Sequence, residues 1–211
     1  MEIEIYADVV CPWCYIGKHR LEQALASYDG EVTVRYRPFQ LDPSPVPEPV
    51  PVVEALGAKF GGAGNARQMI ARVTEVAAGA GLRLDYDRAI AANTFDAHRL
   101  VAYATERGRS GEMVEALYQA HFVGGIDIGS RDSLAGLAEQ VGLDGADARR
   151  FLDSDEGTKE VAAELAKAHD LGISSVPMFV LAGKYGISGA QEPQTLLAAL
   201  AEVERLESGG E

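Results

Sequence analysis

Two residues carry an obvious chemistry. Cys11 and Cys14 are the only cysteines of the chain, and they stand three positions apart. A disulfide closing so small a loop constrains little of the unfolded chain, so stabilisation is a poor reason for the pair. Dithiol–disulfide exchange and metal binding are better reasons. A zinc site wants four ligands. No second Cys-x-x-Cys occurs, and His19, His98, His121 and His169 are scattered, with no close pair. Exchange is expected, and no metal.

Exchange needs one accessible nucleophilic sulfur and a second sulfur behind it. Pro12 suits the first position of a helix, which makes Cys11 the N-cap and Cys14 the third helical residue. A thiolate on Cys11 would face the free N–H groups of the first turn and the positive end of the helix dipole. Those are the conditions that make a cysteine a nucleophile and a good leaving group at neutral pH. Cys14, further in, is expected to resolve the mixed disulfide by attacking Cys11.

These residues need elements to position them. Glu2 to Tyr6 alternates polar and apolar and reads as a strand. The Pro12 helix carries Ile16, Leu21 and Leu25, and Gly30 closes it. Val32 to Phe39 reads as a second strand. Pro43, Pro45, Pro47, Pro49 and Pro51 then alternate with other residues, which predicts an extended, semi-rigid connector. Apolar spacing predicts helices over 53–60, 66–80, 94–107, 110–122, 131–141, 145–152 and 156–170. Gly61-Gly62-Ala63-Gly64 reads as a turn, because it lacks the Lys-Ser/Thr of a phosphate loop. Residues 176–187 read as a hairpin turning at 182–184. Gln194 to Leu206 reads as a terminal helix opened by Pro193, followed by a frayed tail at Ser208-Gly209-Gly210-Glu211. The expected fold class is α/β: residues 1–42 and 171–211 build one mixed sheet, and 43–170 is a helical insertion with its connector at 43–51.

Length and charge narrow the rest. The 211 residues suit one domain with an inserted subdomain. Thirty-two acids against 19 bases give a net charge of −13, which repels phosphate backbones and argues against nucleic acid. No apolar run is long enough to cross a membrane. The opening Met1-Glu2-Ile3-Glu4-Ile5 lacks a basic, apolar leader, so a cytoplasmic location is expected unless a leader has been removed.

Several segments together carry a resemblance. They are Asp8-Val9-Val10-Cys11-Pro12-Trp13-Cys14, Pro38-Phe39-Gln40-Leu41-Asp42-Pro43, Asn93 to Leu100, Val176-Pro177-Met178-Phe179 and Ser188-Gly189-Ala190-Gln191. The chain resembles the DsbA family over nearly its whole length, specifically the FrnE-type members without a signal peptide. The resemblance implies a thioredoxin fold with an inserted helical domain. It also implies exchange with protein or low-molecular-weight thiols, glutathione included, and no cofactor. Thioredoxin-like proteins set a cis proline beside the cysteines, and the residue before it offers backbone groups to a substrate peptide. Pro177 and Val176 stand at that point; with Pro12 and Trp13 they form the expected substrate-binding set. The most oxidising relatives carry histidine between the cysteines. Pro12 and Trp13 bear no charge, so a weaker oxidant is expected.

Other residues are weighed on their type alone. Trp13 reads equally as substrate contact or helix-end packing. Asp8 and Glu4 could pass a proton to Cys14, though a solvated surface is the simpler reading. His98 is read as structural rather than groove-facing. Phe39, Phe95, Phe122 and Phe179 are expected in the core. Two other functions compete. Glutathione-dependent isomerases and kappa-class transferases are similar in architecture but typically carry serine where Cys11 stands. A redox-inert binding protein would keep full activity after Cys11→Ser.

Overall fold

The computed structural model describes residues 1–46 and 48–209. Pro47 of the expected connector and Gly210 and Glu211 of the expected tail lie outside the described residues. The chain opens with β1 (Glu2–Ala7), α1 (Pro12–Leu25) and β2 (Thr33–Pro38). It closes with β3 (Met178–Leu181), β4 (Tyr185–Ser188) and α9 (Pro193–Ser208). These segments make one sheet in the order β2-β1-β3-β4. β1 runs parallel to β2 and antiparallel to β3. Ile3 and Ile5 of β1, with Phe179 and Leu181 beside them in register, are almost fully buried. That alternation is what the sequence pattern demands of a strand with one face on a core.

Among the described residues, seven α-helices lie between β2 and β3: α2 (Val52–Lys59), α3 (Ala63–Gly79), α4 (Phe95–Thr105), α5 (Ser110–Gln119), α6 (Arg131–Gln140), α7 (Gly145–Asp153) and α8 (Thr158–Asp170). The end of α5 widens into a π turn over Ala120–Gly124, closed by Gly125 at φ 64°. Only a residue without Cβ fits there, because a Cβ on Gly125 would sit 2.7 Å from the Arg88 backbone.

Some expected boundaries move. The glycine run is not wholly a turn: Gly61 and Gly62 hold positive φ, but Ala63 and Gly64 already belong to α3. The expected helix over 110–122 gives way to the π turn after Gln119. The hairpin strand begins at Met178, because Pro177 has no N–H to give a ladder. Phe95 is only half-buried, since it stands on the first turn of α4 beside a surface cavity.

The proline-rich connector is held without ladder bonds of its own. The Asn93 side chain donates to the carbonyls of Pro43 and Ser44 at 3.0 Å each. Its end is pinned by an isolated bridge between Pro51 and Ile90.

Arg99 locks the helical region. Its side chain is 2 % exposed. It donates to Asp96 and to the carbonyls of Phe151, Leu152, Ser154 and Glu156, all around the end of α7. Removing a buried charged donor leaves such acceptors unpaired. Arg99→Met is expected to cost about 3–5 kcal/mol in a urea unfolding titration.

Candidate active site

Parallel pairing builds the site. Ala7 of β1 lies opposite Pro38 of β2, so the segments that leave both strands emerge side by side. Asp8-Val9-Val10 turns out of β1 and delivers Cys11, whose N–H donates to the Asp8 carbonyl at 3.0 Å. Cys11 is the N-cap of α1 and Pro12 its first residue. Cys14 follows in the first turn, 1 % exposed. Both cysteines are free thiols.

The Cys11 sulfur does not cap the helix. No side-chain cap bond forms; the sulfur lies 3.9 Å from the Val176 carbonyl instead. A thiol at that distance can donate weakly to the carbonyl. Val176 and Pro177 are joined by a cis peptide. Pro177 is buried under the motif against Gly17, where a Cβ would meet its ring at 2.9 Å. Gly17 was no candidate on sequence, although a glycine inside a helix is a recognised signal of close backbone approach.

Cys11, Pro12, Trp13 and Val176 line one groove of about 1440 Å³. Pro177 stands behind it. Trp13 is 40 % exposed, so its ring presents to solvent rather than packing the helix end. Leu41, Val46, Phe60 and Met69 are also exposed and line the same groove. Exposed apolar side chains gathered in this way mark a contact surface.

Asp8 is not a solvated surface acid. It is 1 % exposed, because the segment leaving β2 closes over it. Its Oδ2 accepts the Leu41 N–H at 2.8 Å. Its Oδ1 has no hydrogen-bond partner and lies 3.4 Å from His98 Nε2. His98 is buried and structural, with Nε2 3.0 Å from the Phe39 carbonyl. Glu4 is held by Arg37 on β2. The Cys14 thiol is pushed well up in pKa, first by burial and next by the neighbouring Cys11; the Asp8 carboxylate adds to this and the Asp8 backbone opposes it.

Two further side chains line the same groove, and neither was given a site role from sequence. Tyr86 follows α3 and His121 sits on the π turn; both line the groove. Their distance along the chain hides them from any local motif. Burial lowers the His121 pKa to about 4. A depressed histidine stabilises the fold above its unfolded pKa of about 6.5, and that stability is lost as pH falls through the folded value. Between about pH 6.5 and 4 the wild type is expected to lose about 3 kcal/mol more than His121→Leu, measured by chemical unfolding at each pH. Equal losses would remove the buried neutral imidazole from the account. Among the described residues, no group of three or more His, Cys, Asp or Glu side chains is arranged to hold a metal ion. No helix among them is long and apolar enough to cross a membrane.

Known proteins are similar to this chain in fold or sequence. The probable DsbA oxidoreductase SCO1869 of Streptomyces coelicolor superposes with a TM-score of 0.87 at 36% identity, over 96% of this chain and 89% of that one. A 2-hydroxychromene-2-carboxylate isomerase superposes with a TM-score of 0.73 at 19% identity, over 99% and 98%. The uncharacterized protein YwbO of Bacillus subtilis is 28% identical over 97% of this chain and 98% of its own length. The sequence profile of the DSBA-like thioredoxin domain matches residues 2–201, and the chain belongs to that family.

Proposed function

We propose that this protein is a thiol–disulfide oxidoreductase in which Cys11 exchanges with substrate and Cys14 resolves the mixed disulfide. One observation carries the reading: two free, buried thiols stand at the start of α1, and of the two Cys11 lines the groove. The reduced protein attacks a substrate disulfide through Cys11. One substrate thiol departs and the other stays bound to Cys11. Cys14 then loses its proton, attacks the Cys11 sulfur and releases the second thiol. Two electrons pass from the protein dithiol to the substrate. Burial disfavours the Cys14 thiolate, so a base must stand close by. Asp8 is that base in this reading. The Val176 carbonyl and the Trp13 ring hold the substrate beside Cys11.

An isomerase built on the same architecture is the second reading. The presence of both Cys11 and Cys14 speaks against it, since isomerisation needs no redox pair. The expected substrates are protein or small thiols and disulfides, glutathione among them, in a reducing cytoplasm.

Equilibration in glutathione redox buffers, followed by Trp13 fluorescence and thiol alkylation, tests the proposal. A reversible two-electron transition confined to Cys11 and Cys14 supports it, and its midpoint gives the direction that exchange favours. Failure to form any Cys11–Cys14 disulfide across the range would sink it and bring the isomerase forward.

A further inference from the structure

Two largely buried polar side chains line the groove with Cys11 and make no side-chain hydrogen bond among the described residues. Tyr86 is 7 % exposed and His121 is 1 % exposed, and both line the groove with Cys11. Tyr15 and Tyr118 settle their hydroxyls on neighbours, whereas Tyr86 finds no partner among the described residues. His121 Nδ1 is sealed from solvent and also unpartnered. Buried polar groups are nearly always satisfied, so the sealed, unpartnered nitrogen of His121 on this wall calls for a reason.

The two groups arrive together. The Asp85 N–H donates to the Phe122 carbonyl at 2.6 Å, tying the loop that bears Tyr86 to the π turn that bears His121. Tyr86 also packs edge-on against Phe122, with ring centroids 5.7 Å apart. Both are neutral near pH 7. Burial raises the Tyr86 pKa, with the Cys11 charge adding to it, so the hydroxyl keeps its proton. Burial keeps the His121 ring uncharged. A proton on Nε2 makes that nitrogen a hydrogen-bond donor.

We propose that the Tyr86 hydroxyl and the His121 N–H donate hydrogen bonds to the substrate sulfur that departs during attack by Cys11. This deepens the oxidoreductase reading and rests on it. In the first step the Cys11 thiolate forms a bond to one substrate sulfur, and the substrate S–S bond breaks. Its electron pair goes to the second sulfur, which leaves as a thiolate and takes a proton from water. Negative charge builds on that sulfur as the bond breaks. Fixed donors in a water-poor pocket are worth most where charge develops. In the reverse direction the same donors hold the attacking substrate thiolate.

The test uses leaving groups that differ in their need for help. An aryl thiolate such as thionitrobenzoate departs readily, whereas an alkyl thiolate departs slowly. Stopped-flow mixing of the reduced full-length protein with an aryl disulfide and with bis(2-hydroxyethyl) disulfide measures the first step for each. Tyr86→Phe removes an oxygen that bonds nothing, so Tm is expected to hold. Its rate with the alkyl disulfide is expected to fall about tenfold, the worth of one lost hydrogen bond, while the aryl rate changes less than about twofold. His121→Leu is expected to show the same selectivity. Equal losses on both disulfides, or no loss on the alkyl one, overturns the proposal and leaves the oxidoreductase reading intact. A wild type that reacts with neither disulfide overturns that reading itself, and this inference with it.

Discussion

Cys14→Ser is expected to stop exchange halfway, with substrate held on Cys11 as a mixed disulfide. Both sulfurs are buried, but Cys11 lines the groove and Cys14 does not, so a substrate disulfide is expected to meet the first sulfur. Serine matches cysteine in shape, and its hydroxyl does not attack a disulfide. The first step survives and the second does not. Turnover is expected to drop by more than about 1000-fold, in the range seen when a nucleophile is deleted. Intact mass after incubation with glutathione disulfide is expected to show one added glutathione, and peptide mapping to place it on Cys11. Cys11→Ser is expected to show no adduct. An adduct on Cys14 instead would reverse the assigned roles.

Asp8→Asn is expected to slow the resolving step by about 100-fold, near the lower end of what a placed general base contributes. Two effects oppose each other. Removing the Asp8 charge relieves one of the influences that disfavour the Cys14 thiolate, which alone would speed resolution. Removing the acceptor leaves the proton with nowhere near to go, which slows it. The Asp8 charge is the smallest of the influences on Cys14, so relief is expected to be a small effect and the loss of the acceptor the larger one. Asparagine keeps a carbonyl for the Leu41 N–H, so the loop stays in place. The pH dependence follows from the raised Cys14 pKa. Below that value the thiolate fraction grows about tenfold per pH unit, so resolution in the variant is expected to keep climbing past the range in which an ordinary thiol levels off. The release of glutathione from a preformed mixed disulfide, followed from pH 6 to 10, measures both effects. Faster resolution in Asp8→Asn would show that the charge dominates and would end the acceptor role.

The motif was legible because its determinants are local. A proline after the first cysteine and a cysteine in the next turn fix a cap and a helix start, and α1 begins where that reasoning puts it. The sheet strands were legible through alternation at Ile3 and Ile5, and most insert helices through apolar spacing. What stayed hidden depends on contacts between distant segments. An aspartate after a strand reads as a loop residue until the parallel register brings Phe39 to Leu41 over it. Tyr86 and His121 belong to no local motif, since only the meeting of the α3–α4 loop with the π turn brings them to one groove wall. The π turn has no sequence signature apart from Gly124 and Gly125 at its close.

The connector after β2 supplies Leu41 and Val46 to the groove wall, yet it is tethered largely by the Asn93 side chain and by the bridge at Pro51. Apart from Asp42, which pairs with Lys59 of α2, its exposed side chains at Leu41 and Val46 face the groove. Substitutions there are therefore nearly neutral for folding and leave Cys11, Cys14 and Asp8 untouched. Over evolutionary time, substrate preference can drift along this strip while the sulfur chemistry stays under its own, separate selection.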